Sequence, residues 1–389
     1  MADSVIQRGQ AVLENQEDSS SLLQVGAFQT ALLDLLDTPS ARYLEQDWES
    51  YLTRSGDSVV GVVGNATQDT RFPLDRLSVG KGLVYLYDKT GDGTYRDALS
   101  ALRASIDLQP RNQWGGLWYY VYPNWSYLDG MFSLISFYPL YTAHFDTDNT
   151  TTEAAVSTDL FNQLDLLWTH CHDTESTLLL FHGYDATKTA IWADPVTGAS
   201  PFVWGRALGW FIMGLVDFLE FAFTHEPGYA GFEAQLATWR SRFVALCDAL
   251  VDAADPVSGA WWQVLSAPGR EGNYIESSAS AMFSYVLFKG VRIGLFKETE
   301  GNTLYARGAS PAETYTGVAA RAYRALMDRF VVDNADGSLS YNGTVGVCSL
   351  NSTATYEYYV TRPLVYDSVL GSAAFIRAST EYELWHGSH

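Results

Sequence analysis

The sequence predicts an all-α fold, an (α/α)6 barrel formed by a single domain over residues 1–389, on three observations. Helical apolar periodicity dominates the chain. Six segments are apolar on nearly every face, and more amphipathic stretches separate them. No Pro-, Gly- or Ser-rich linker, low-complexity tract or long charge run divides them.

The six apolar segments are Leu22–Leu36, Leu77–Tyr87, Leu128–His144, Trp204–Phe223, Ser277–Leu295 and Ser368–Glu381. A helix that is apolar all round has no face to offer water, so these are the inner helices. Gly209, Gly214, Ala279 and Ala281 let such helices approach closely. The amphipathic segments Thr94–Ile106, Thr158–His170, Phe232–Ala253 and Glu313–Phe330 form the outer layer. Thr90-Gly91-Asp92-Gly93 is a turn signal joining an inner to an outer helix. No fixed sequence period appears, which argues against a helical solenoid. In a barrel of this kind the loops at one end form a concave pocket suited to a small ligand.

Composition narrows the ligand. The net charge is -21, from 45 acidic and 24 basic residues, so nucleic acid and anionic membranes are not expected partners. An anionic ligand would have to be held by a few local cations. Twelve Trp and 24 Tyr are either an aromatic core with surface Tyr or the lining of a sugar cleft, where rings stack on C–H faces and polar tips hydrogen-bond. Three dispersed cysteines, Cys171, Cys247 and Cys348, imply no disulfide framework. His170-Cys171-His172 lacks a second cluster to complete a metal site, so no metal is expected. No run of 18 apolar residues argues for a membrane span. Five Asn-X-Ser/Thr sequons, at Asn65, Asn124, Asn149, Asn342 and Asn351, among 11 Asn point to a secreted protein, although the chain starts without a signal peptide, and a cytoplasmic protein is the alternative.

Residues able to do chemistry cluster at the starts of the inner helices. Asp129 lies just inside one, after the aromatic stretch Trp114 to Tyr127. It is either a proton donor or a carboxylate favoured at a helix start. Arg206 lies between Trp204 and Trp210, where two indoles could frame a guanidinium that clamps a carboxylate; the alternative is a structural ion pair beneath core tryptophans. His182, in His182-Gly183-Tyr184-Asp185, is either a ligand contact or a satisfied core histidine. Asp75, in Leu74-Asp75-Arg76-Leu77, offers a second carboxylate or a surface pair with Arg76. Glu276 supports hydrogen bonds at its helix start.

At these positions the sequence resembles glycoside hydrolase family 105, the unsaturated rhamnogalacturonyl and related uronyl hydrolases. The matching stretches are Tyr122-Pro123-Asn124 with Leu128-Asp129-Gly130, His182 to Asp185, Trp192-Ala193-Asp194-Pro195-Val196-Thr197-Gly198, Ser200-Pro201, Trp204 to Trp210, Glu271 to Phe283, and Tyr356-Glu357-Tyr358-Tyr359. The resemblance implies an (α/α)6 barrel. It makes Asp129 the catalytic acid and base, and His182, Trp204, Arg206 and Trp210 the residues that hold an unsaturated uronate. Two departures fall where the next sugar is expected. Tyr119-Tyr120 replaces a His-Lys pair, and Tyr127 replaces a Trp.

The implied substrates are unsaturated oligosaccharides left by polysaccharide lyases, and the implied reaction is hydration of a vinyl ether without metal or organic cofactor. Two rival readings remain from the residues. One is an inverting glycosidase on the same barrel, using Asp129 with Asp75 or Asp185. The other is a sugar-binding protein without catalysis.

Overall fold

The computed structural model describes residues 1–13, 19–38, 45–146, 149–225, 229–296 and 311–387. In chain order the elements are α1 (Ala2–Gln7), α2 (Ser21–Leu36), α3 (Glu45–Val60), α4 (Ala66–Asp69), a 3₁₀ helix (Leu74–Val79), α5 (Gly80–Thr90) and α6 (Gly93–Leu108). Then come β1 (Trp125–Tyr127), α7 (Gly130–Phe145), α8 (Thr150–Cys171), β2 (Gly183–Asp185), α9 (Gly205–Thr224), α10 (Glu233–Ala253), α11 (Ser277–Arg292) and α12 (Pro311–Phe330). The chain ends with β3 (Val331–Asp333), β4 (Leu339–Tyr341), β5 (Thr344–Val345), α13 (Tyr356–Val360), β6 (Leu364–Val365) and α14 (Val369–Gly387).

The predicted inner helices close into a ring. α2 packs on the 3₁₀ helix, the 3₁₀ helix on α7, α7 on α9, α9 on α11, α11 on α14, and α14 back on α2. Each has an outer partner: α3 on α2, α6 on α5, α8 on α7, α10 on α9, α12 on α11, and the short α1 on α14. This is the (α/α)6 toroid that the hydropathy pattern predicts. α11 shows why the pattern works: every residue from Ser277 to Gly290 is buried, so a polar stripe would have nowhere to go. α9 is long and apolar enough to cross a bilayer by composition, but here it is an inner helix and mostly buried.

Two features depart from the sequence expectation. The segment predicted as one helix, Leu77–Tyr87, is instead a 3₁₀ helix followed by α5. Pro73 precedes the 3₁₀ turn, and all six of its residues are buried against α2 and α7. The expected turn at 90–93 is present: Gly91 ends α5 in the left-handed region at φ 67°, and Asp92 caps α6 through the Thr94 amide. Three small antiparallel pairs, β1–β2, β3–β4 and β5–β6, were not expected. They tie loops together at the helix ends. Two sequon asparagines are also helix caps, with Asn65 accepting from Gln68 N and Asn149 from Thr152 N.

Candidate active site

The β1–β2 pair builds the centre of the site. It joins the loop before α7 to the loop after α8, with Trp125 opposite Asp185, Ser126 opposite Tyr184 and Tyr127 opposite Gly183. One residue further on, Leu128 N donates to His182 O at 3.0 Å. Only glycine fits at 183, because a Cβ there would stand 2.5 Å from Ser126 O. This zipper brings Asp129 and His182 together: Asp129 Oδ2 and His182 Nε2 are 3.2 Å apart, without the alignment of a hydrogen bond. Asp129 occupies the N-cap position of α7 but makes no side-chain cap bond, so its carboxylate is not used for capping. His182 is wholly buried, and its Nδ1 is 2.9 Å from Tyr359 Oη.

The second carboxylate is Asp75, at the start of the 3₁₀ helix. The expected surface pair with Arg76 does not form. Both residues are buried, and Arg76 instead bonds Ser105 and the carbonyls of Phe72 and Pro73. Asp75 Oδ2 accepts from Tyr119 Oη at 2.6 Å, while Oδ1 is buried without a partner. Burial pushes the Asp75 carboxyl up to about 7. The Tyr119 hydrogen bond and Arg76 work against that rise, and the neighbouring negative charge of Asp129 adds to it. Tyr119 also stacks on Tyr127, with ring centroids 4.3 Å apart and planes 14° apart.

Arg206 has a different setting from the expected one. Its guanidinium lies over Trp204 at 4.9 Å, but Trp210 packs on Phe132 at 4.6 Å rather than framing the arginine. Nη1 donates to Val345 O, and Nη2 to Gly346 O at 2.6 Å. Glu276 takes the other side of the same strand, accepting from Val345 N at 3.0 Å while it caps α11 through Ala279 N. The two buried opposite charges thus hold one strand between them, and three of the five guanidinium N–H donors remain for other partners.

Asp75, Tyr119, Tyr120, Tyr122, Tyr127, Asp129, Trp204, Arg206 and Trp210 line one cleft of about 520 Å³ together with Val347, Cys348 and Ser349. The cleft opens where α2, α7, α9 and α14 begin, so helix N-termini converge on it and favour an anion. Asp185 is elsewhere: its oxygens accept from Thr187, Thr189 and Ala190, which, against burial, keeps it below the usual carboxylate range and commits it to its loop. His170 and His172 also part company. His170 stacks with Trp114 and Tyr184, and His172 with Trp168. No cluster of metal-ligating residues occurs among the described residues. Sequence reasoning missed Tyr359 as the His182 partner; the signal was that a buried histidine needs one.

The sequence model of a family described as Glycosyl Hydrolase Family 88 matches residues 26–385. The chain is 34% identical over 209 residues to the 24.9 kDa protein in the picA locus of Rhizobium radiobacter, covering 52% of this chain and 81% of that one. A glycoside hydrolase from family 105 of C. acetobutylicum ATCC 824 superposes with a TM-score of 0.79 and 27% identity over 98% of both chains. The unsaturated glucuronyl hydrolase of Bacillus sp. GL1, responsible for degradation of glycosaminoglycan, shares the fold at a TM-score of 0.63 and 12% identity, over 97% of this chain and 88% of that one.

Proposed function

The chain belongs to glycosyl hydrolase family 88, and on that basis we propose that it releases a terminal 4,5-unsaturated uronic acid from an oligosaccharide by hydrating the C4=C5 bond. The observation that carries this reading is the carboxyl pair. Asp129 and Asp75 line the same cleft, and Asp75 is raised to about 7 by burial, with the negative charge of Asp129 adding to the rise. Near neutral pH Asp75 therefore keeps a proton at hand in the cleft.

The C4=C5 bond is a vinyl ether conjugated to the uronate carboxylate. Asp129 gives a proton to C4, forming a C–H bond. The cation left at C5 is shared with the ring oxygen. Water adds to C5, and its proton goes to the Asp129 carboxylate, which restores the acid. The C5 hemiketal then opens, and C1 becomes a hemiacetal that expels the next sugar as an alcohol. One carboxyl group acts first as acid and then as base, unlike the paired attack of ordinary glycosidases. The free donors of Arg206, with the helix N-termini, hold the uronate, and Trp204 and Trp210 wall its ring. His182 lies against Asp129.

Galacturonate and glucuronate differ only at C4, which is planar once the double bond forms. Selectivity between pectin-type and glycosaminoglycan-type substrates therefore rests on the leaving sugar and its linkage. The wall on that side is built from Tyr119, Tyr120, Tyr122 and Tyr127. Tyr127 is buried against Tyr119, so its ring shapes the wall from behind. Tyrosines without a lysine favour stacking over charge, which points to neutral leaving sugars beyond rhamnose.

A turnover screen on lyase-generated oligosaccharides from pectin, glycosaminoglycan and ulvan, read by loss of the double bond's ultraviolet absorbance, tests this. Turnover is expected with the acid and not with its methyl ester. Binding without turnover on every substrate would favour a sugar-binding protein and sink the proposal. A preference for rhamnose exceeding about a hundredfold would overturn the leaving-group assignment, since one charge-assisted contact is worth about 1.5–3 kcal/mol.

A further inference from the structure

We infer that Tyr359 is a positioning residue that fixes the tautomer of His182 and thereby decides which oxygen of Asp129 carries the transferable proton. The inference rests on the hydration reading for its consequence but on geometry for its substance. His182 is fully buried, with Nδ1 2.9 Å from Tyr359 Oη and Nε2 3.2 Å from Asp129 Oδ2. Tyr359 is also fully buried, and among the described residues its hydroxyl has no hydrogen-bond partner but His182 Nδ1.

The phenolic proton decides the arrangement. If Nδ1 carried a proton and donated to Oη, the Tyr359 O–H would be buried with no acceptor, an uncompensated loss. If instead Tyr359 donates into the Nδ1 lone pair, the imidazole is the neutral Nε2–H form. That N–H then lies 3.2 Å from Asp129 Oδ2, close enough for its dipole to act on the carboxyl although the two are not aligned as a hydrogen bond. Burial holds the Tyr359 phenol well above its ordinary range, so it remains a donor. The other groups facing the imidazole add no charge: Tyr127 stands edge-on at 5.2 Å and Trp204 lies at 4.8 Å. Tyr359 itself is held in place, since Gln263 Nε2 donates to its carbonyl at 3.1 Å while Gln263 Oε1 accepts from Trp204 Nε1.

The consequence concerns Asp129. With Nε2–H 3.2 Å from Oδ2, a proton on Oδ2 would face that N–H, so the proton that goes to C4 sits on Oδ1. When that proton has left, Nε2–H stabilises the carboxylate until water is deprotonated. Losing the phenol frees Nδ1 and lets the imidazole populate both tautomers, one of which turns a lone pair toward Oδ2. Neither Tyr359 nor the fully buried His182 lines the cleft, so the effect falls on kcat and not on KM.

The test is nitrogen NMR of the whole chain carrying labelled histidine, without substrate, with the His182 signals assigned by their loss in His182→Gln. In the unsubstituted protein Nε2 is expected to be protonated and Nδ1 unprotonated. A protonated Nδ1 would overturn the inference outright and needs no variant. In Tyr359→Phe the His182 signals should move toward a mixture, and kcat should fall about three- to tenfold at unchanged KM. An unchanged tautomer in that variant would show that Tyr359 is not what fixes it. Absence of turnover by the unsubstituted protein would instead strike at the hydration reading and leave the NMR result standing.

Discussion

At the C-terminal ends of the inner helices, Asp217 accepts from Tyr285 at 2.6 Å, Lys289 at 2.6 Å and Arg377 at 2.9 Å, and Arg377 also holds Asp34. At the N-terminal ends, Asp75 has one bond and one orphan oxygen, and Asp129 Oδ2 faces an unaligned histidine. Both sets of carboxylates sit in the same barrel, the cleft pair buried and the far-end pair half-buried. At the far end burial works to raise Asp217, but Arg377 and Lys289 outweigh it and hold the carboxyl well below its usual range. At the cleft no cation closes on Asp75, and burial wins. The far end also has the larger free space, about 1100 Å³ against about 520 Å³ in the cleft. Size therefore does not single out the cleft; incomplete pairing does. The paired end holds structure together, and the underpaired end retains a carboxyl that can exchange a proton near neutral pH.

Substitutions at the two ends should separate activity from stability. Asp129→Asn is expected to lower kcat by about 10³–10⁴-fold, because the residue acts in two proton transfers. Thermal unfolding should barely move, since the lost oxygen has no aligned partner. More than about a tenth of the original turnover would remove Asp129 from the mechanism. Lys289→Met should do the reverse. It removes the cation 2.6 Å from Asp217 and 2.8 Å from Glu220, which keep Arg377 and Arg292, so the cost should be roughly 1–3 kcal/mol. Denaturant unfolding should show that loss while kcat per folded molecule is unchanged; a fall in kcat would mean that the far end takes part in catalysis.

The smallest effect is in the pH dependence of stability, where the two ends have opposite sign. Asp75, raised to about 7, contributes to folding fully below the unfolded carboxylate value near 4 and loses that contribution as pH rises through 7. Asp34 and Asp217, held low, contribute above that value and lose it in acid. Asp75→Asn should therefore reduce the decline in stability between about pH 4 and 8 by roughly 1–3 kcal/mol and leave the acid limb alone. Asp69, raised to about 6, keeps part of the decline. An unaltered neutral limb would mean that Asp75 is not titrating there.

The helices were legible because burial on all sides leaves a mark in composition, as in α9 and α11. Asp129 and Arg206 were legible as candidates because charged residues at the starts of apolar helices are conspicuous, and His182 through its His182-Gly183-Tyr184-Asp185 stretch. Their relationships were not. Asp129 meets His182 only through the β1–β2 zipper, three residues long and without a local pattern of its own. The surface pairing assigned to Asp75 and Arg76 followed from adjacency in sequence, whereas the 3₁₀ turn sends the two side chains to Tyr119 and Ser105. The two indoles around Arg206 followed from helical spacing, yet packing against Phe132 takes Trp210 away. The sequons show the same limit, since helix caps at Asn65 and Asn149 supply a local reason for asparagine there.

The central claim is that the proton from the underpaired end goes to carbon. A single turnover of an unsaturated disaccharide in D₂O, with the released sugar analysed at C4, tests it most directly. The account predicts one deuterium on a single face of C4, with loss of absorbance no later than release of the leaving sugar. Release of that sugar while the double bond persists, followed by deuterium on both faces, would contradict it.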